Sequence, residues 1–267
     1  MAIDAYQNKK GLLLKECLSA ELFMPYTSVV GGILACKLVY GLSQSISALY
    51  FKSYSSLSNI KCVEWNNRAI STVHAVFIAA ISIYFVFWSD IYTKHGLPGY
   101  ITYHSSSLST FTLGASVGYF VADLMMIFWF YPYLGGLEYI VHHLLSGSAI
   151  AYSMLNGEGQ LYTFMVLISE ITTPGINLRW YLDTAGLKKS SIYIVNGVVI
   201  FMTWLIARIF LFIYLFCHVY MHFDQVSMMH DFGKLLVFGV PLVLFIMNMI
   251  WFGKITKGLM KTLSKMQ

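Results

Sequence analysis

Apolar residues run along this chain in long stretches, broken by short clusters of charge, proline and glycine. The stretches are too long and too unbroken for strands, and each approaches the roughly 20 residues that carry a helix across a bilayer. They predict seven helices, near 22–50, 69–89, 108–130, 138–156, 160–178, 192–218 and 234–252. Aromatic clusters stand at several ends: Tyr50-Phe51, Phe87-Trp88, Phe128 to Tyr131, Trp180-Tyr181 and Trp251-Phe252. Rings that are apolar on their faces and polar at one tip favour headgroup depth, so these clusters mark membrane boundaries. Gly114 and Gly118 are four apart in the third helix, a spacing that lets a neighbouring helix come close. The expected fold is all-α, a multi-pass transmembrane bundle of about seven spans. No repeat, linker or low-complexity segment divides it.

Composition agrees. The chain has 267 residues, 58% hydrophobic and 11% charged, with mean hydropathy +0.67. Ordinary soluble domains carry about 25% charge, so a soluble globule, a disordered tail and a nucleic-acid binder are all excluded. The net charge of +5 points to no acidic partner, because the 17 Lys and Arg are scattered over short loops. Cys17, Cys36, Cys62 and Cys217 form no CxxC and read as packing residues. The first apolar run is too long for a signal-peptide core and lacks an A-x-A site, so it is expected to stay as a span. No lipidation motif stands at either end, which leaves the spans to hold the protein in the membrane.

The basic residues predict orientation. One set of helix ends carries Lys52, Lys61, Arg68, Arg179, Lys188, Lys189, Lys254, Lys257, Lys261 and Lys265. The other carries Lys9, Lys10, Lys15, Lys94 and Lys234. Loops rich in Lys and Arg stay on the cytosolic side, which puts the C-terminus there and the N-terminus across the membrane.

Ionisable side chains within the apolar stretches are Lys37, His74, Asp123, His142, His143, Glu170 and Arg208. Such groups are costly in hydrocarbon and usually face a bundle interior or a wet cavity. Counted from the expected cytosolic ends, His74, Asp123, His142, His143 and Glu170 all lie roughly 8–12 Å deep at 1.5 Å per residue. They predict a polar chamber toward the cytosolic leaflet; the plainer reading is helix-to-helix hydrogen bonding. Arg208 falls nearer the opposite side by this count, and Lys37 is left to snorkel or to face a neighbouring helix. Successive helix residues point about 100° apart, so His142 and His143 cannot serve one atom in the same way. One suits proton transfer to an amine or hydroxyl, and the other suits binding a carbonyl or carboxylate. Glu138, four residues before His142, could orient its ring.

A rival pattern is His218-x-x-x-His222, followed by His230 and Asp231. Two imidazoles four apart share a helical face, as a metal site would need. They lie toward the opposite end from His142 and His143, and no HxxHH box exists, so no metal is expected.

Trp65-Asn66-Asn67-Arg68 with Ser71 and His74-Ala75 resembles the start of a TLC domain, the lipid-associated membrane domain shared with ceramide synthases and translocation-associated membrane proteins. Gly118-Tyr119-Phe120 with Asp123 is similar to that family's third-helix signature, and Glu138 with His142-His143 to its histidine pair. Ser169-Glu170, Thr172-Thr173-Pro174, Asn177 and Arg179-Trp180-Tyr181 resemble the subgroup called TLC domain-containing protein 4. The resemblance covers roughly residues 60–255, leaving 1–59 as an N-terminal segment with the first helix and 256–267 as a basic cytosolic tail. It implies a six-helix bundle around a lipid cavity, with the endoplasmic reticulum as the usual location. In ceramide synthases the histidine pair is followed by a later His-Asp and a further Asp; here Ser169-Glu170 and Thr173 stand at those positions, with Ser153 between.

The resemblance implies two readings. In the first, the protein serves lipid homeostasis by binding, sensing or moving an acyl-chain lipid, held by His74, Asp123, His142, His143, Glu170, Asn177 and Arg179. In the second, it is an N-acyltransferase with His142 or His143 as base or acyl acceptor, Glu170 and Asp123 orienting, and acyl-CoA as a substrate meeting Arg179, Lys188 and Lys189. The missing His and Asp turn expectation toward the first. No cofactor is expected. The expected partner is a membrane lipid or fatty acyl chain, with a membrane protein or a second copy as the protein partner and no nucleic acid.

Overall fold

The computed structural model describes residues 20–92 and 100–264. Cys17, Lys9, Lys10, Lys15, Lys94 and Lys265 lie outside the described residues. Seven helical passes follow one another: α1 (Ala20–Tyr50), α2 (Asn59–Ile83, continued by a π turn Tyr84–Trp88), α3 (Ser107–Trp129), α4 (Leu137–Asn156), α5 (160–184), α6 (Ser191–Met221) and α7 (Asp231–Leu263). No strand occurs among the described residues. Five of the passes are each long and apolar enough to cross a membrane, and the chain is a multi-pass bundle of membrane helices. The other two, α4 and α5, carry His142, His143 and Glu170 among their more polar residues. Consecutive passes run in opposite directions, so the loops 51–58, 130–136 and 185–190 gather at one end with the end of α7. This is the basic end; the segments 89–92 and 100–106 and the loops 157–159 and 222–230 lie at the far end.

Two boundaries lie ten residues or more from the sequence expectation. α2 begins at Asn59, ten residues before the expected start. Lys61, Glu64 and Arg68, which looked like loop, lie on the helix and pair with each other: Lys61 to Glu64 at 2.7 Å and Arg68 to Glu64 at 2.9 Å. Spacings of three and four residues place opposite charges side by side on a helix and neutralise them there. Similarly, α7 runs on through Lys254, Lys257 and Lys261 to Leu263, so most of the expected tail is helix.

Two passes are irregular inside. α5 consists of an α stretch Gln160–Leu167, a 3₁₀ turn Ile168–Thr172 and a second α stretch Thr173–Thr184 with Pro174 in its first turn. α6 contains a π turn, Leu205–Phe210. Glu170 sits in the first irregularity and Arg208 in the second. Departures from the α turn, the first tightened and the second widened, often mark functional positions.

The far half of the bundle is filled by apolar side chains. Ile78, Phe85, Leu113, Phe164 and Leu215 are fully buried there, and the rings of Phe85 and Phe164 stand 4.6 Å apart. α1 lies outside the other passes and is held through small residues. A Cβ at Gly118 would come within 2.3 Å of Val29 O, and one at Gly32 within 2.3 Å of Ala115 O. The two backbones therefore touch, and only glycine fits at the crossing.

Candidate functional site

The basic half is hollow. A cavity of about 440 Å³ opens there, bounded by α2 through α7 and by the α3–α4 loop, with Pro132, Tyr133, Leu134 and Gly135 at its rim. Its walls mix Asn67, Arg68, Asp123, His142, His143, Glu170 and Arg208 with Phe120, Ile127, Trp204 and Trp251.

Two buried charge pairs shape the polar part. Asp123 of α3 reaches His143 Nε2 of α4 at 2.7 Å and accepts from Asn67 Nδ2 of α2 at 2.8 Å. His143 Nδ1 lies 2.9 Å from the carbonyl oxygen of Tyr139, which can only accept. Both ring nitrogens of His143 thus face acceptors, and the His143–Asp123 pair holds the proton that this bonding needs. The second pair is Arg208 with Glu170 at 3.6 Å. Arg208 also donates to Thr172 Oγ1 at 2.8 Å and Asn248 Oδ1 at 3.1 Å, and its guanidinium lies 4.7 Å from the Trp204 ring centre. Glu170 accepts from Thr173 Oγ1 at 2.9 Å. A buried charge needs such partners to persist.

His142 is different. Its ring stands 5.4 Å from that of His143 and 5.8 Å from that of Trp251, and its buried Nδ1 has no hydrogen-bond partner. Asn67 Oδ1 is buried without a partner as well. The orientation of that amide is fixed, because Asp123 requires the NH₂ side. Two unsatisfied polar atoms therefore belong to residues that line the same cavity.

The structure brings Asp123, His142, His143 and Glu170 around one space, with Asn177 in the wall. Asn177 ties α5 to α2: it accepts from Arg68 Nη1 at 3.0 Å, and its Nδ2 lies 2.8–3.0 Å from Arg68 O, Ser71 Oγ and Thr72 Oγ1. Three expectations change. His74 is not in the wall; it stacks on Tyr119 at 3.8 Å and meets Ser116 Oγ at 3.2 Å, with Tyr119 between it and the cavity. Its helix starts ten residues earlier than the depth count assumed. Arg208, placed by that count toward the opposite side, is in the wall, because α6 is 31 residues long and overshoots a bilayer core of about 30 Å. Arg179 faces away from the cavity, toward Tyr193 O at 3.3 Å and Thr262 Oγ1 at 3.4 Å. Lys188 is also apart, paired with Asp183 at 2.7 Å in the 185–190 loop, and that carboxylate raises its pKa above the ordinary lysine value.

At the far end, His218 and His222 stack at 4.2 Å instead of converging on a point, while His230 Nδ1 accepts from Phe232 N and Asp231 pairs with Lys234 at 2.7 Å. Sequence reasoning missed Asn67, Arg68, Trp204 and Lys254 as wall residues. For the first two a signal existed: Glu64, Asn67, Arg68 and Ser71 form one polar stripe at helical spacing.

Comparison with known proteins converges on the same stretch. The TLC domain family model matches residues 64–257, which takes in the cavity wall from Glu64 to Ile255. TLC domain-containing protein 4 of Homo sapiens is 26% identical over 237 residues, covering 85% of this chain and 86% of that protein. TLC domain-containing protein 4-B of Xenopus laevis is 28% identical over 218 residues, 79% of each chain. TLC domain-containing protein 4 A of Dictyostelium discoideum is 23% identical over 226 residues, with 82% and 83% covered. With the family model spanning well over half of its length, this chain belongs to the TLC domain family.

Proposed function

We propose that the protein binds an amphipathic lipid, with the headgroup in the basic-end cavity and the acyl chain along its apolar wall, and that it serves lipid homeostasis in the endoplasmic reticulum membrane with its C-terminus in the cytosol. The observation that carries this reading is the pair of unsatisfied atoms, His142 Nδ1 and Asn67 Oδ1, on residues of a cavity whose buried charges are paired, Asp123 with His143 and Glu170 with Arg208. Buried polar atoms without partners are rare and call for a ligand or water. Asn67 Oδ1 requires an O–H or N–H donor, and His142 can accept or donate according to its tautomer. A headgroup bearing hydroxyl, amide or amine groups meets both demands. The volume of about 440 Å³ falls within the usual range of small-ligand sites, roughly 300–1,000 Å³.

The test is lipid identification by mass spectrometry on detergent-solubilised protein. Wild type is expected to carry a stoichiometric lipid with such a headgroup, and His142→Ala to retain severalfold less. Equal lipid content in the two proteins, or none in wild type, overturns the reading.

N-acyl transfer has one specific observation in its favour, the His143–Asp123 pair beside an unbonded imidazole. In that chemistry the amine nitrogen bonds to the acyl carbonyl carbon of acyl-CoA, and His142 takes the amine proton and passes it to the CoA sulfur as the C–S bond breaks, which leaves the amide and free CoA. General acid–base help is worth about 10²–10⁴-fold in rate. Condensation of acyl-CoA with a sphingoid amine above a His142→Ala/His143→Ala control would therefore replace binding by catalysis. The loss of the family's later His and Asp supports binding.

A further inference from the structure

Lys37 lies near the middle of α1, 14 residues after Phe23 and 13 before Tyr50, the ends of this apolar span. The span of 28 residues is about 42 Å long at 1.5 Å per residue, against a hydrocarbon core of about 30 Å. Wherever the core falls along α1, its midpoint stays at least about 9 Å from either edge. A lysine stem reaches on the order of 6 Å, and in α1 it leans toward the helix N-terminus. Lys37 is exposed and makes no hydrogen bond or ion pair among the described residues. It is not in the TLC match, and it faces away from Cys36, which is buried against the bundle.

Its neighbours on the same flank are distinctive. At four, seven and eleven residues onward stand Gly41, Gln44 and Ala48, all exposed. Gly41 has open space around it, and Gln44 has no hydrogen bond among the described residues. The outward surface also carries exposed Val30, Leu34, Leu38 and Ile46, with Gly31, Ala35 and Ser45 exposed as well. A charge, an amide and two small residues thus form one line along the helix. Small residues let a second backbone approach, and polar side chains in hydrocarbon seek partners across the contact.

We propose that this flank of α1 docks a transmembrane helix of another membrane protein, one that carries an Asp or Glu near its midpoint. Charge complementarity selects the occupant. A second copy of this chain does not supply the acid at mid-span: among the described residues, Glu64, Glu138 and Asp183 lie at the basic end, Glu21, Asp90, Glu158, Asp224 and Asp231 at the far end, and Asp123 and Glu170 in the cavity. The proposal does not depend on what the cavity binds.

The experiment uses the full chain in phosphatidylcholine vesicles and a synthetic leucine-rich transmembrane peptide with a single central Asp. An otherwise identical peptide has Leu at the centre. Association is read by energy transfer between a dye at the protein's C-terminus and a dye on the peptide. The Asp peptide is expected to bind about tenfold tighter than the Leu peptide. Lys37→Leu should erase that difference, and Lys37→Arg should keep it. Because Lys37 has no bonding partner among the described residues, Lys37→Leu should elute with wild type on size exclusion. Equal binding of the two peptides to wild type, or a preference that survives Lys37→Leu, overturns the proposal. Self-association of wild type without peptide, lost in Lys37→Leu, overturns it in favour of a homodimer.

Discussion

Asp123 joins three helices through one carboxylate, with His143 of α4 at 2.7 Å and Asn67 of α2 at 2.8 Å. Removing one partner of a buried pair leaves the other charge uncompensated, at a cost of about 3–5 kcal/mol. Asp123→Ala is therefore expected to lower stability by about that amount, seen as a fall in the melting temperature of the solubilised protein. His142→Ala, which breaks no hydrogen bond, should change it by far less. Equal losses would contradict the assignment of His143 to structure and His142 to the ligand. At this scale the sequence reveals the ionisable residues themselves, because charge in an apolar run is conspicuous. It does not reveal their bonding. Nothing in the order His142-His143 says which ring is locked by Tyr139 and Asp123 and which is free, since that depends on where α3 and α4 cross.

Charge misleads at the level of the helix. Lys61, Glu64 and Arg68 resemble a loop until they are seen to neutralise each other along one face of α2, and the depth assigned to His74 fails with that boundary. Arg208 is displaced for a related reason: counting from helix ends assumes passes of one bilayer thickness and regular turns, whereas α6 is longer and carries a π turn. Small residues are more legible. The Gly114–Gly118 spacing signals close approach, and the structure shows α1 as the helix that makes it. Gly118→Ala would push a methyl to 2.3 Å from Val29 O and should cost about 1–3 kcal/mol by overpacking. Gly253 of α7 has nothing within 4 Å of its Cβ position, so Gly253→Ala should be neutral or stabilising by up to about 1 kcal/mol. Chemical denaturation of the two variants in the same detergent measures the contrast; similar shifts would deny the backbone contact.

Seven alternating passes put the two ends of the described chain on opposite sides of the bundle, and this number is readable from apolar runs alone. Orientation rests on the loops. Lys52, Lys188 and Lys189, together with the basic last turns of α7, lie at the end where the cavity opens. A glycosylation acceptor placed after Gln267 is expected to remain unmodified in microsomes, and efficient modification there would invert the assignment. The distribution of matter inside the bundle is not readable from the sequence. One half is packed around Phe85, Phe164 and Leu215, with a void of about 30 Å³ beside Tyr162, while the other holds a cavity of about 440 Å³. A close-packed interior resists compression, so the two halves differ in stiffness as well as in chemistry. The molecule is rigid where it needs no occupant and compliant where it has room for one, and whatever fills the hollow half would brace six helices as well as being held by them.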